Sequence, residues 1–204
     1  MIYAIGDSHS DGTFRGIPGT THKCIGAVTL KRVGYLEDTL LPEWLAKWDF
    51  QPEDYCVFCF GEIDSRCHIK LQLENRPHIS LHDFVSNWVE RYLLRLSTLD
   101  TGPACKCVLS VVPPTTVARS GGYYEGPFSV RGTDEERVEY AQKFNELLSS
   151  GCQKYNLLYL DVYSRYKDER GMLLEEKSDG GIHINEQSAV KELLLQLGML
   201  TLET

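Results

Sequence analysis

The sequence predicts an α/β protein: a mainly parallel sheet with helices packed on both faces. Apolar runs at Ile2 to Ile5, Tyr55 to Phe60, Cys107 to Val112 and Leu157 to Val162 read as strands covered on both sides. Stretches with apolar residues at helical spacing lie between these runs, and strands alternating with helices from end to end require a parallel sheet. Right-handed crossovers then restrict the wiring to a few doubly wound orders. Two of the strands also break abruptly into polar turns, at Gly6-Asp7-Ser8 and at Gly61-Glu62-Ile63-Asp64-Ser65-Arg66. In open α/β sheets ligands gather beyond the carboxyl ends of the strands, which is where both turns would lie.

Taken in order, the first strand delivers Ser8 to the sheet's rim. His9 to Thr21, with Gly12, Gly16, Pro18 and Gly19, reads as a loop. A second strand is expected over Lys23 to Leu30, interrupted by Gly26. Leu36, Leu40, Leu41, Leu45 and Trp48 then predict a helix over Tyr35 to Trp48. After the third strand, Phe84, Trp88, Tyr92 and Leu96 form one side of a helix over Leu81 to Leu99. The fourth strand stops at Pro113-Pro114, and Thr115 to Gly132, rich in Gly, Tyr and Arg, shows no periodicity; so long an excursion is usually functional or mobile. Thr133 or Asp134 caps a helix to about Ser150, the fifth strand follows, and Ser188 to Leu197 forms the last helix.

The length of 204 residues, 42% hydrophobic, suits one domain spanning 1–204 with a substantial core. A net charge of −8 with no dense Lys/Arg run argues against a nucleic-acid partner. No stretch approaches membrane-spanning length, and the amino terminus lacks the basic and apolar segments of a signal peptide, so the expected location is cytoplasmic. Seven cysteines cannot pair completely within one chain and are read as reduced core residues. Cys56 and Cys59 have metal-like spacing, but an i, i+3 pair on a strand points to opposite faces, so no metal site is expected there. Neither a G-x-G-x-x-G turn nor a Walker-type lysine motif follows any strand, and no cofactor is expected.

A serine at a strand end becomes a nucleophile only when a base takes its proton and a carboxylate orients that base. Read alone, Asp7 and Ser8 serve equally well as turn caps. Of six histidines, His183 is the best placed: the loop Ser178 to Asn185 leaves the fifth strand's carboxyl edge and can reach back to Ser8, carrying Asp179 just upstream.

Gly6-Asp7-Ser8 after the first strand, a glycine near the end of the second, Gly61-x-x-Asp64 after the third, and an Asp-to-His loop before the last helix together resemble the four blocks of the SGNH (GDSL-type) hydrolases. The resemblance spans nearly the whole chain. It implies a three-layer flavodoxin-like sandwich with a five-stranded parallel sheet and a triad of Ser8, His183 and Asp179. It also implies an oxyanion hole from the Ser8 N–H, a second-block glycine and the third-block side chain. Gly26 is preferred for the glycine, with Gly34 as second choice. The activity implied is that of a serine esterase on small O-acyl esters. Gly61 to Arg66 is also similar to a subset of SGNH-like proteins associated with bacterial surface polysaccharides, which points to acetylated carbohydrate. Asp7, His9 and Arg66 are candidate substrate contacts, and Arg119, Tyr123, Tyr124 and Arg131 are candidate sugar contacts. Two other readings stay open: an O-acyltransferase using the same site, and a degenerate domain that binds a glycan without hydrolysis.

The sequence departs from the family's pattern twice. Asp64 stands where the family usually has Asn, and an ionised carboxylate repels a developing oxyanion that an amide would stabilise. Asp64 is therefore either protonated and donating, replaced in its role by Arg66, or turned away; a pairing of Asp64 with Arg66 is the expectation. Asp179 and His183 are also separated by one residue more than usual, which Gly180 and Gly181 can absorb as a tight turn.

Overall fold

In the computed structural model, residues 1–35, 37–121 and 128–201 are described. Five strands, β1 (Ile2–Gly6), β2 (Thr20–Cys24), β3 (Tyr55–Cys59), β4 (Cys105–Leu109) and β5 (Leu158–Leu160), form one sheet in the order β2-β1-β3-β4-β5. Every pairing is parallel. This is the order in which the chain winds first one way from β1 and then the other, opening a crevice at the carboxyl ends of β1 and β3.

Alternation along the strands sorts the core into two layers. Ile5, Cys56, Phe58 and Val108 face a cluster built from α2 (Leu30–Val33), α3 (Leu40–Leu45), α5 (Leu81–Thr98) and α6 (Asp134–Lys154). Ile2, Ala4, Val57, Cys59 and Leu109 face α1 (Ser8–Phe14), α7 (Tyr163–Tyr166) and α8 (Ser188–Gln196). Cys56 and Cys59 thus enter opposite layers. The short α4 (Ile69–Glu74) follows a π-helical turn at Asp64–His68.

Besides the short helices α4 and α7, which the sequence did not announce, and β4 and β5, whose bounds shift to Cys105–Leu109 and Leu158–Leu160, three regions differ from the sequence expectation. Residues 8–14 are helical: the Asp7 side chain accepts from the His9 N–H at the helix start, and Thr13 and Phe14 are buried beneath it. Gly12, a loop signal in the sequence, sits inside this helix. β2 begins earlier and ends at Cys24, because pairing with β1 sets its register, Ile2 opposite Thr20 and Gly6 opposite Cys24. All five of its residues are half-buried, so this edge strand shows neither an apolar run nor clean alternation. The expected helix over Tyr35 to Trp48 is shortened to Leu40–Leu45, and a separate short helix, α2, precedes it, capped by the Thr29 hydroxyl, which accepts from the Arg32 N–H. Leu36 lies outside the described residues. The long helices agree closely with their stripes, and Thr133 and Glu136 form a reciprocal capping box at the start of α6. No helix among the described residues is long and apolar enough to cross a membrane.

Candidate active site

The site is assembled at the sheet's carboxyl edge. β1 must lie close to β3 for Ser8 to be held there: a Cβ at Gly6 would sit 2.0 Å from the Cys59 carbonyl oxygen. Beyond Gly6 the Asp7 N–H donates to that same carbonyl at 3.1 Å, and α1 begins at Ser8. Ser8 is exposed.

The loop after β5 supplies the remaining groups. Ser178 and Ile184 pair as an isolated antiparallel bridge, and the Asp179 N–H donates to the His183 carbonyl at 3.0 Å. Gly180, with φ of +86°, makes the tight turn, and one carboxylate oxygen of Asp179 accepts from the N–H groups of Gly181 at 2.8 Å and His183 at 3.2 Å. The additional residue is accommodated as a closed turn. The other Asp179 oxygen accepts from His183 Nδ1 at 2.8 Å, and Ser8 Oγ donates to His183 Nε2 at 2.8 Å. Burial would raise the Asp179 carboxyl, but the hydrogen bonds from the His183 ring and from the Gly181 and His183 N–H groups together outweigh it and hold the group below the usual carboxylate range.

This loop rests on α1. A Cβ at Gly12 would meet the Ile184 carbonyl oxygen at 3.1 Å and the His183 Cβ at 3.2 Å, and Gln187 Nε2 donates to the Gly12 carbonyl at 2.8 Å. An open cleft of about 410 Å³ beside Ser8 and His183 is lined by Asp11, Arg15, Asn185 and Gln187. None of these four was singled out by sequence; they become visible only when α1 and the loop are docked.

The other sequence-derived candidates are distributed differently. Gly26 lies two residues beyond Cys24, as Ser8 lies two beyond Gly6, so the register puts both at the same edge, and its φ of +92° with open space at the Cβ position suits a turn facing solvent. Gly34 ends α2 and abuts Arg91 and Tyr92 of α5, so it serves helix packing. The expected Asp64–Arg66 pairing is replaced by two others. Arg66 Nε donates to Glu62 at 2.6 Å, one helical turn earlier, and its Nη1 to the Phe128 carbonyl. Asp64, fully buried, accepts the Leu30 N–H at 2.6 Å and the Lys31 N–H at 3.3 Å, capping α2. Burial pushes its carboxyl up to about 7 against the pull of those amides. Burial would likewise raise Glu62, but Arg66 and His9 together hold it low.

Asp7 and His9 are 1% and 3% exposed and are engaged within the protein. Arg66 is also buried, at 9%, and engaged. Arg119 donates to the Leu173 carbonyl and the Ser178 hydroxyl, tying the long excursion to the loop that carries His183. The Arg131 N–H donates to the Arg66 carbonyl; Tyr123 and Tyr124 lie outside the described residues.

Compared with known proteins, the sequence matches no family model and no curated protein. Solved structures do match it. A GDSL-like lipase from Bacteroides thetaiotaomicron is 12% identical with a TM-score of 0.59, the match covering 96% of this chain and 86% of that one. A member of the lipolytic G-D-S-L family from Veillonella parvula is 14% identical with a TM-score of 0.52, covering 96% of each. The OSK domain of Drosophila Oskar is 12% identical with a TM-score of 0.56, covering 97% and 86%. With its five parallel strands in this order and its likeness to these structures, the chain has the fold of the SGNH (GDSL-type) hydrolases.

Proposed function

We propose that the chain is a serine esterase that hydrolyses small O-acyl esters, above all acetyl esters of carbohydrate. One observation carries the reading: Asp179, His183 and Ser8 form an unbroken relay with both links at 2.8 Å. His183 Nδ1–H is directed at a carboxylate, which leaves Nε2 unprotonated and able to accept the Ser8 proton. Ser8 Oγ then attacks the ester carbonyl, His183 returns the proton to the leaving alcohol, and a water activated by the same imidazole releases the acid. The N–H groups of Ser8 and Gly26 are assigned to the oxyanion. The polar cleft beside the relay, with Arg15, Asn185 and Gln187, suits an alcohol rich in hydroxyls.

A second reading is favoured by Asp64. Both of its oxygens accept backbone amides, and in its ionised form it supplies no donor to the oxyanion; a domain short of a donor is a weak catalyst or a binder of glycan esters. The deciding experiment sets purified protein against Ser8→Ala with p-nitrophenyl acetate and a fluorophosphonate label. Release and labelling in the wild type alone support the esterase; no release above the mutant and no label refute it.

A further inference from the structure

Beside the relay lies a second histidine that the mechanism does not use. The His9 ring is buried, its centroid 4.8 Å from that of His183. Its Nδ1 is 3.1 Å from Asp7 Oδ1, and its Nε2 is 3.1 Å from the carbonyl oxygen of Ile182, the residue before His183. A carbonyl oxygen only accepts, so Nε2 carries a proton. Asp7 Oδ1 already accepts the His9 backbone N–H, and Asp7 Oδ2 is buried without a hydrogen-bond partner among the described residues. A carboxylate buried in this way needs a cation, and the ring supplies it when Nδ1 is protonated as well. Both nitrogens facing acceptors therefore describe an imidazolium. Burial opposes that charge, but Asp7 and Glu62, the latter paired with Arg66, outweigh it and raise the group to about 9.

We propose that His9 is a positioning residue: its imidazolium, clamped between the Asp7 carboxylate and the Ile182 carbonyl, locks the loop that holds His183 over Ser8. The anchor at Ile182 is one peptide before His183 and the Ile184 bridge to Ser178 is one peptide after it, so the base is held on both flanks. This inference rests on the esterase reading. It differs from a substrate-binding role because every polar atom of the ring is already engaged within the protein.

The experiment compares His9→Asn and His9→Gln in kcat, KM and rate of fluorophosphonate labelling, with 15N NMR of the wild-type ring. Asn carries its donor at the level of Nδ1, reaching Asp7 but not Ile182; Gln carries one at the level of Nε2. His9→Asn is expected to lose about 10²-fold in kcat with KM unchanged, as for a displaced catalytic group, and His9→Gln to recover most of that loss. A merely structural role would lower the melting temperatures without separating the two variants in kcat per folded molecule. Both wild-type ring nitrogens are expected to be protonated at neutral pH, a measurement that stands even if a variant fails to fold; one bare nitrogen overturns the clamp. A labelled wild type with His9→Asn labelled equally fast overturns this inference alone, whereas an unlabelled wild type removes the esterase reading and the inference with it.

Discussion

His183 Nε2 lies 2.8 Å from Ser8 Oγ across 175 residues of sequence. If this contact is the proton path, Ser8→Ala and His183→Ala each abolish acyl-enzyme formation, and Asp179→Asn lowers kcat by about 10⁴-fold, because the amide favours the wrong imidazole tautomer. Pre-steady-state release of p-nitrophenol measures all three. An Asp179→Asn variant turning over at the wild-type rate would show that the Asp179 carboxylate does not orient the base.

Asp64 provides the second test. Its oxygens hold the Leu30 and Lys31 N–H groups, so Asp64→Ala is expected to act on stability more than on rate. Leaving those amides unpaired costs about 1–3 kcal/mol in urea unfolding, while kcat stays well above the roughly 10²–10³-fold drop that follows removal of an oxyanion donor. A rate loss of that larger size with unchanged stability would return Asp64 to the hole.

Gly12→Ala separates packing from propensity. The methyl group favours the helix by up to about 1 kcal/mol, yet it meets the Ile184 carbonyl and the His183 Cβ at 3.1 and 3.2 Å. The expected result is a melting temperature near that of wild type with a reduced kcat, because the loop yields before the helix does. An unchanged kcat would mean that the loop tolerates the shift.

The Asp7–His9 pair also predicts a pH dependence of stability. The folded-state value near 9 lies above the ordinary 6.5, so the native state binds this proton more tightly than the unfolded chain does. Its contribution is complete below about 6.5 and is lost as pH rises through about 9. Urea midpoints should therefore show the wild type's advantage over His9→Gln shrinking between about pH 6 and about pH 10, and a constant difference would contradict a charged His9.

Much of this was legible in the sequence because it depends on local pattern. β3 is apolar on both faces, and the stripes of α5 and α6 have helical period, so those elements needed no tertiary information. Ser8 and His183 stood out by position at strand ends, and their grouping with Asp179, which the resemblance implied, matches the contacts the structure makes among the three. What was not legible depends on docking. β2 takes its register from β1, and α1 reads as loop because its glycine is placed for the approach of a segment more than 170 residues later. Asp64 and Arg66 look like partners two residues apart, but the π-helical turn puts Glu62 and Arg66 together and sends Asp64 to α2. Asp7 and His9 look like exposed turn residues until the loop closes over them.

The contact joins the turn after the first strand to a loop that follows all five strands. If Ser8 is the nucleophile, it has no base beside it until residues 179–183 have docked, so its labelling by a fluorophosphonate would report the arrival of the far segment. On the same condition a proteolytic cut before Asp179, with release of the later segment, would end that labelling while sparing every strand of the sheet.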